Sequence, residues 1–187
     1  FNPNQYGLFM QMNTLNYDAR YVLPEIKHWN LSFGVNGMYQ QSKNKGIEFL
    51  IPDYNLLDIG GFFIAKKTID KLDISGGLRY DIRQQHGEQL WLDVHEQPTQ
   101  IDNAQTTHKF ETFNVVFKGY SGSLKFAYQL SKKAYTKLNL SRGFRAPNIG
   151  VIGAYGVHDG TIRYEIGDVN LKPENSWEVD YSLGINT

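Results

Sequence analysis

Residues 176–186 read SWEVDYSLGIN, and two kinds of side chain alternate along this stretch. The first kind is apolar or aromatic, at Trp177, Val179, Tyr181, Leu183 and Ile185. The second kind is acidic, small or an amide, at Glu178, Asp180, Ser182, Gly184 and Asn186. A period of two predicts a β-strand with one apolar face. Whether that face lies against a packed protein core or against membrane hydrocarbon decides the class of fold.

The same alternation recurs in further runs at 4–23, 28–41, 51–67, 72–83, 110–130 and 134–144. It is clearest in LDISGGLRYDIR at 72–83, where one face carries Asp73, Arg79, Asp81 and Arg83 and the other is uncharged. These runs are much longer than the about five or six residues usual in soluble sheets. Glycines in the run 110–130 predict a β-bulge. We therefore expect an all-β chain, an antiparallel up-and-down meander of about seven long strands.

The connections between these runs alternate in length. Those at 24–27, 68–71 and 131–133 are short, and those at 42–51, 84–108 and 145–174 are long. In a meander, alternate connections lie at the same end, so all the short turns would face one way. Short turns opposite long loops are typical of outer-membrane β-barrels. A soluble β-barrel or sandwich that binds a ligand such as a carbohydrate is the alternative, since its core would use the same aromatic residues.

Composition excludes several classes of function. Lys plus Arg is 19 and Asp plus Glu is 19, so the net charge of zero argues against a nucleic-acid partner. The chain has no cysteine, which excludes disulfides, thiol catalysis and sulfur-ligated metals. No run approaches the about 20 apolar residues of a membrane-spanning helix. The opening FNPNQYGLFM carries neither an initiator Met nor a signal peptide, so we expect a mature chain or a piece of a longer one.

Chemistry-bearing residues concentrate in the long loops. The loop 84–108 carries the histidines and carboxylates His86, Glu88, Asp93, His95, Glu96 and His108. Imidazole suits transition metals, but a solvated loop explains the same residues better, and we expect no metal and no cofactor. No G-x-S-x-G or H-E-x-x-H motif occurs, so the chain is not expected to be an enzyme. The candidates for ligand contact in an outer loop are Tyr155, His158, Asp159 and Tyr164.

Two motifs have a structural explanation first. In Gly143-Phe144-Arg145-Ala146-Pro147 the glycine permits a bend and the proline cannot donate to a ladder, so a strand should end there. In Leu171-Lys172-Pro173-Glu174 the proline marks the margin where the next strand starts.

Four motifs in order resemble a late barrel segment of TonB-dependent outer-membrane receptors. They are SRGFRAP at Ser141 to Pro147, GVHDGT at Gly156 to Thr161, YEIG at Tyr164 to Gly167 and LKPE at Leu171 to Glu174. HWNLSFGVNGMYQ, FLIPDYNLLDIGGFF and LDISGGLRYDIR are similar to neighbouring barrel strands of these receptors, particularly those of Bacteroidetes type. The resemblance extends over essentially the whole chain.

The resemblance implies a plug domain followed by a 22-strand transmembrane barrel in the bacterial outer membrane. Residues 1–187 would then be a partial barrel segment, without a plug domain or a TonB box. The implied function is active transport of a scarce small-molecule ligand, such as an iron–siderophore complex. The implied partners are outer-membrane lipid, the plug domain and TonB. A small complete barrel is disfavoured because bacterial barrels have an even strand number. Open edges or apolar faces should make the fragment self-associate.

Overall fold

The computed structural model describes residues 7–100, 102–158 and 163–185. Within these ranges long strands are joined by tight turns at one end and by folded loops at the other. In chain order the elements are β1 (Met10–Val22), β2 (Trp29–Asn44), β3 (Tyr54–Ile69), β4 (Leu72–Gly87), β5 (Leu90–Leu92), β6 (Pro98–Thr99), β7 (Thr107–Phe110), β8 (Phe113–Gln129), β9 (Ala134–Arg145), α1 (Ile149–Gly153), β10 (Tyr155–His158), β11 (Arg163–Ile166) and β12 (Glu174–Ile185).

The long strands form a 7-stranded antiparallel sheet in the order β1-β2-β3-β4-β8-β9-β12. Each strand pairs with the next long strand along the chain, so the predicted all-β meander is confirmed. β1 and β12 form the two edges and do not pair with each other in the described part of the chain. The sheet is therefore open.

The predicted bulge in β8 is wrong. β4 and β8 keep one register from Leu72↔Tyr128 to Gly87↔Phe113 without a shift. The glycines instead leave room for neighbouring side chains. A Cβ on Gly119 would overlap the ring of Phe144, so the glycine makes space for this ring. The strand contains no extra residue, as a bulge would require.

The registers assign each strand residue to one of two faces, because directly opposed residues share a face and successive residues alternate. The outer face is the one that carries Leu78, Phe63 and Phe33. It continues through Leu124, Leu140 and Val179 to the far edge of the sheet. Along the seven long strands the outer face holds no Asp or Glu. The carboxylates all lie on the opposite inner face, at Asp18, Asp58, Asp73, Asp81, Glu174, Glu178 and Asp180.

No second layer covers the outer face in the part of the chain that the structure describes. Leu78 is 67% exposed, Trp177 76% and Val179 70%. The apolar residues that are buried lie at the loop end, at Leu50, Tyr54, Leu56, Phe110, Phe117, Ile152 and Ala154. A soluble sandwich would bury these stripes against each other. The exposed apolar stripes instead suit contact between the outer face and an apolar solvent.

The connections differ at the two ends, as the lengths in the sequence predicted. The turn between β3 and β4 consists of Asp70 and Lys71, and Asp70 has a φ of 49°. The segment between β4 and β8 is not the simple polar loop that we expected. β4 continues to Gly87, and the rest forms a small sheet with the order β6-β5-β7. The segment between β9 and β12 holds α1 and the β10–β11 hairpin.

A membrane-spanning helix is not found among the described residues, since no helix there is long and apolar enough.

Candidate functional site

The inner face of β3 and β4 carries a network of ion pairs. Arg83 binds Asp58 through two parallel hydrogen bonds, with Nε–Oδ1 and Nη2–Oδ2 distances of 2.7 Å each. Arg79 binds Asp81 on the same strand, with Nε to carboxylate oxygen distances of 2.7 and 2.9 Å. A Cβ on Gly60 would overlap the Arg79 guanidinium, so the glycine makes space for this pair. Bidentate pairs of this kind fix both side chains.

Asn36 extends the network to β1 and β2. Its side-chain oxygen accepts from Arg79 at 2.6 Å, and its side-chain nitrogen donates to Asp18 at 3.2 Å. The network borders an open cavity of about 710 Å³. Because Arg79 and Arg83 each have a carboxylate partner, this part of the wall presents paired charges. This suits a water-filled lumen.

The motif at residues 141–147 lies where β9 separates from β8. Their ladder ends at the pair Gly122↔Arg142. The Arg142 guanidinium donates to the Tyr120 carbonyl and, at 2.7 Å, to Asn175 Oδ1. It also lies 3.7 Å from the centre of the Tyr120 ring. A carbonyl without a partner is costly next to lipid, and Arg142 supplies that partner where the ladder stops.

The rest of this motif faces the lumen. The Phe144 ring covers Gly119, and Phe144, Arg145 and Ala146 line the 710 Å³ cavity. The Pro147 carbonyl accepts a hydrogen bond of 2.8 Å from the fully buried Gln85 on the inner face of β4. The structure thus folds the chain after β9 back over the inner face.

β9 ends at Arg145 and β12 begins at Glu174. These two residues form an exposed ion pair at 3.7 Å, which is worth little in water. Leu171, Lys172 and Pro173 precede β12 and are not part of a strand.

Tyr155 and Tyr164 lie together on the β10–β11 hairpin. Their rings meet edge to face with centroids 5.7 Å apart. A hydrogen bond with the Tyr155 hydroxyl raises the pKa of Tyr164 above its usual value. Lys109 Nζ lies 5.3 Å from the Tyr155 ring centre, and burial lowers the pKa of this lysine. Asp159 lies outside the described residues, as does the side chain of His158.

A loop cavity of about 520 Å³ lies between this hairpin and the β2–β3 loop. The hairpin docks through a backbone hydrogen bond of 2.8 Å from Tyr155 N to the Leu50 carbonyl. The residues that line the cavity are Gly7, Leu8, Ile47, Glu48, Phe49, Leu50, Leu92, Glu96, Lys109 and Val157. Lys109 and the β2–β3 loop were not singled out from the sequence, because only the folded hairpin brings them beside Tyr155.

The histidines of the β4–β8 segment do not converge. His108 stacks on Trp91 with ring centroids 4.0 Å apart. His95 belongs to a tight turn in which Asp93 accepts hydrogen bonds from the backbone amides of Gln97 and His95, which lower the pKa of Asp93. His86 lies on the outer face of β4. The described residues hold no group of three or more histidines and carboxylates that could bind a metal.

Comparison with known proteins identifies the fold. Residues 4–186 match the family model described as TonB dependent receptor-like, beta-barrel. No curated protein matches the chain. The copper transporter OprC superposes with a TM-score of 0.72 at 14% identity, over 95% of this chain and 29% of OprC. A double mutant of the Serratia marcescens hemophore receptor HasR, in complex with its hemophore HasA and heme, gives 0.68 at 18% identity, over 92% and 30%. The chain thus spans less than a third of either structure.

Proposed function

Because this chain belongs to the TonB-dependent receptor β-barrel family, we propose that it forms part of the barrel wall and the outer loops of an active transporter. Barrels of this family are proteins of the bacterial outer membrane. The observation that carries the proposal is the outer face, which has an exposed apolar stripe and no carboxylate on any of the seven long strands. A transmembrane barrel needs such a face toward lipid, while its polar inner face stays wet.

The partners of the intact receptor follow from the same family. We propose that residues 1–187 are one segment of a larger barrel of about 22 strands. A plug domain would fill its lumen, and TonB would supply the energy for moving that plug. The paired charges of the inner face support this proposal, because they offer a hydrated surface against which a plug can move. The segment performs no chemistry on the ligand. Assignment to the Bacteroidetes type stays a prediction.

We propose an iron–siderophore type of complex as the ligand. The loop cavity supports a bulky anionic chelate, because Lys109 lines it and the Lys109 ammonium lies 5.3 Å from the ring centre of Tyr155, which packs edge to face against Tyr164. The two similar structures are a copper transporter and a hemophore receptor with heme, so the cargo of each contains a metal.

Uptake by living cells tests the proposal. Cells that express the gene encoding this chain are compared with a deletion strain for accumulation of ⁵⁵Fe-labelled siderophores, with copper and heme as parallel cargoes. We expect energy-dependent iron uptake that the deletion abolishes and that Tyr155→Ala reduces. Lys132→Ala, in the short turn at the opposite end, is the control. Undiminished iron uptake in the deletion strain would overturn the assignment of the ligand, and undiminished uptake of all three cargoes would overturn the transporter.

The isolated chain tests the proposal that it is a segment. Reconstituted alone in liposomes, it should accumulate no ligand, because gating and energy coupling lie elsewhere in the receptor. Light scattering should show oligomers, since β1 and β12 leave both edges of the sheet unpaired in the part of the chain that the structure describes. Ligand uptake by the isolated chain would contradict the first expectation, and a well-behaved monomer the second.

A further inference from the structure

The inner face carries a group of lysines on the side of the short turns. Lys66 on β3 and Lys125 on β8 lie in one row across the sheet, and Ser75 of β4 lies between them as the partner of both. Because neighbouring strands are about 4.8 Å apart, the backbones of the two lysines are about 10 Å apart. Lys137 on β9 is two residues closer to the turn than Asn139, which opposes Lys125. We call Lys66, Lys125 and Lys137 the lysine group.

The lysine group has no ion-pair partner in the part of the chain that the structure describes. The side chains of Lys66 and Lys125 are exposed on the inner face. Lys137 is half-buried, and its ammonium lies 4.5 Å from the centre of the Tyr135 ring. The lysine group therefore differs from the two arginines of β4, each of which is held by a carboxylate.

The carboxylates that the registers place nearest to the lysine group are bound by neutral side chains. Asp73 on β4 accepts a hydrogen bond of 2.5 Å from Thr68, and Asp180 on β12 accepts one of 3.1 Å from Asn139. Neither carboxylate forms an ion pair with a lysine. This end of the wall thus presents positive charge that the described residues do not pair.

The inner-face residues of β4 and β8 beside the lysine group are small. They are Ser75, Gly77, Ser123 and Ala127. Short side chains leave the backbone of these two strands open to close approach. The surface of another protein domain can therefore lie against this part of the wall and reach the lysine ammonium groups.

We infer that the lysine group binds a surface of the plug domain that carries Asp or Glu side chains. The inference rests on the proposed function, which places a plug in the lumen. A plug that fills the lumen removes water from the exposed ammonium groups, and a charge that loses its water is costly unless it is paired. Because the wall supplies no partner, carboxylates of the plug supply it. Contact of the lysine group with water and salt ions alone is the alternative that the experiment must exclude.

Carbodiimide cross-linking of the intact, detergent-purified receptor tests the inference. The reagent joins an ammonium group to a carboxylate where the two are in contact, and peptide mass spectrometry identifies both residues. We expect links from the lysine group to Asp or Glu of the plug domain. The matched control is Lys67, which follows Lys66 on β3 but lies on the outer face, with its ammonium 5.2 Å from the centre of the Trp29 ring. Absence of links from all three lysines to the plug, or equal linking of Lys67, would overturn the inference.

Hydrogen exchange of the plug amides gives a second readout. Replacing all three lysines with glutamine should speed exchange in the contacting plug segment by about five- to tenfold. Replacing them with arginine should keep the slow exchange because the charge stays, and Lys67→Gln should leave it unchanged. Equal exchange in the glutamine variant and the unchanged receptor, or equally fast exchange in the arginine and glutamine variants, would contradict the inference. If the glutamine variant does not fold, the cross-links of the unchanged receptor decide.

Uptake by the unchanged receptor separates this inference from the proposed function. A receptor that takes up its cargo but gives no links from the lysine group to the plug would overturn the lysine contact and leave the proposed function standing. An intact receptor without a plug domain would overturn both.

Discussion

A charge placed in the middle of the outer face should destabilise the barrel far more than the same charge on the inner face. Leu78 lies at the centre of the β4 stripe, with Leu72, Ile74 and Gly76 on one side and Tyr80 and Ile82 on the other. It is 67% exposed, so no protein group is available to solvate a guanidinium there. An arginine near the bilayer midplane costs about 2–4 kcal/mol. We therefore expect Leu78→Arg to lower the free energy of unfolding by about 3 kcal/mol.

The matched control is Ser123→Arg on β8, which lies on the inner face between Gly77 and Ser141. It should cost less than about 1 kcal/mol, as a surface substitution does. Both receptors are refolded in phospholipid liposomes and titrated with guanidinium chloride, and the folded fraction is read from heat-modifiable mobility on gels. Equal midpoints for the two variants would refute the reasoning, because the two faces would then meet the same solvent.

Three further predictions concern single contacts. Gly119→Val should lower the free energy of unfolding by about 1–3 kcal/mol, because the valine side chain would overlap the Phe144 ring that covers the glycine. Gly61→Val is the control in the same titration and should be neutral, because open space surrounds Gly61. A double-mutant cycle of Asp58→Ala and Arg83→Ala should give a coupling energy of about 1–3 kcal/mol, and additive effects would contradict their ion pair. Burial lowers the pKa of Lys109, so the pH midpoint of its acylation, followed by peptide mass spectrometry, should lie below 10.5; a midpoint at or above 10.5 would contradict this.

The long strands and their faces were predictable because both depend on local alternation. In β4, Asp73, Arg79, Asp81 and Arg83 fall on one face at a period of two, and the structure places them together. The alternation of short and long connections then predicted which end of each strand meets a short turn and which end meets a long loop. Even the absence of carboxylates from the outer face can be read along each run once its register is known.

Two features depended on contacts between distant residues and were not predictable. Phe144 has the same parity as outward-facing Leu140, yet its ring covers Gly119 on the inner face, because the β8–β9 ladder ends at Gly122↔Arg142. The loop cavity forms only when the β10–β11 hairpin bonds to Leu50, more than a hundred residues earlier. The periodicity of one segment predicts neither the inward turn of Phe144 nor the docking of the hairpin.

Site-directed spin labelling along β4 tests most directly which solvent meets each face. The chain has no cysteine, so each introduced cysteine carries the only label. Labels at 72, 74, 78, 80 and 82 in the reconstituted receptor should collide with dissolved oxygen, and labels at 73, 75, 79, 81 and 83 with a water-soluble nickel chelate. A strict alternation with a period of two is the expected result. Labels that collide equally with both reagents on the two faces, or an outward series shielded from both, would contradict a lipid-facing wall.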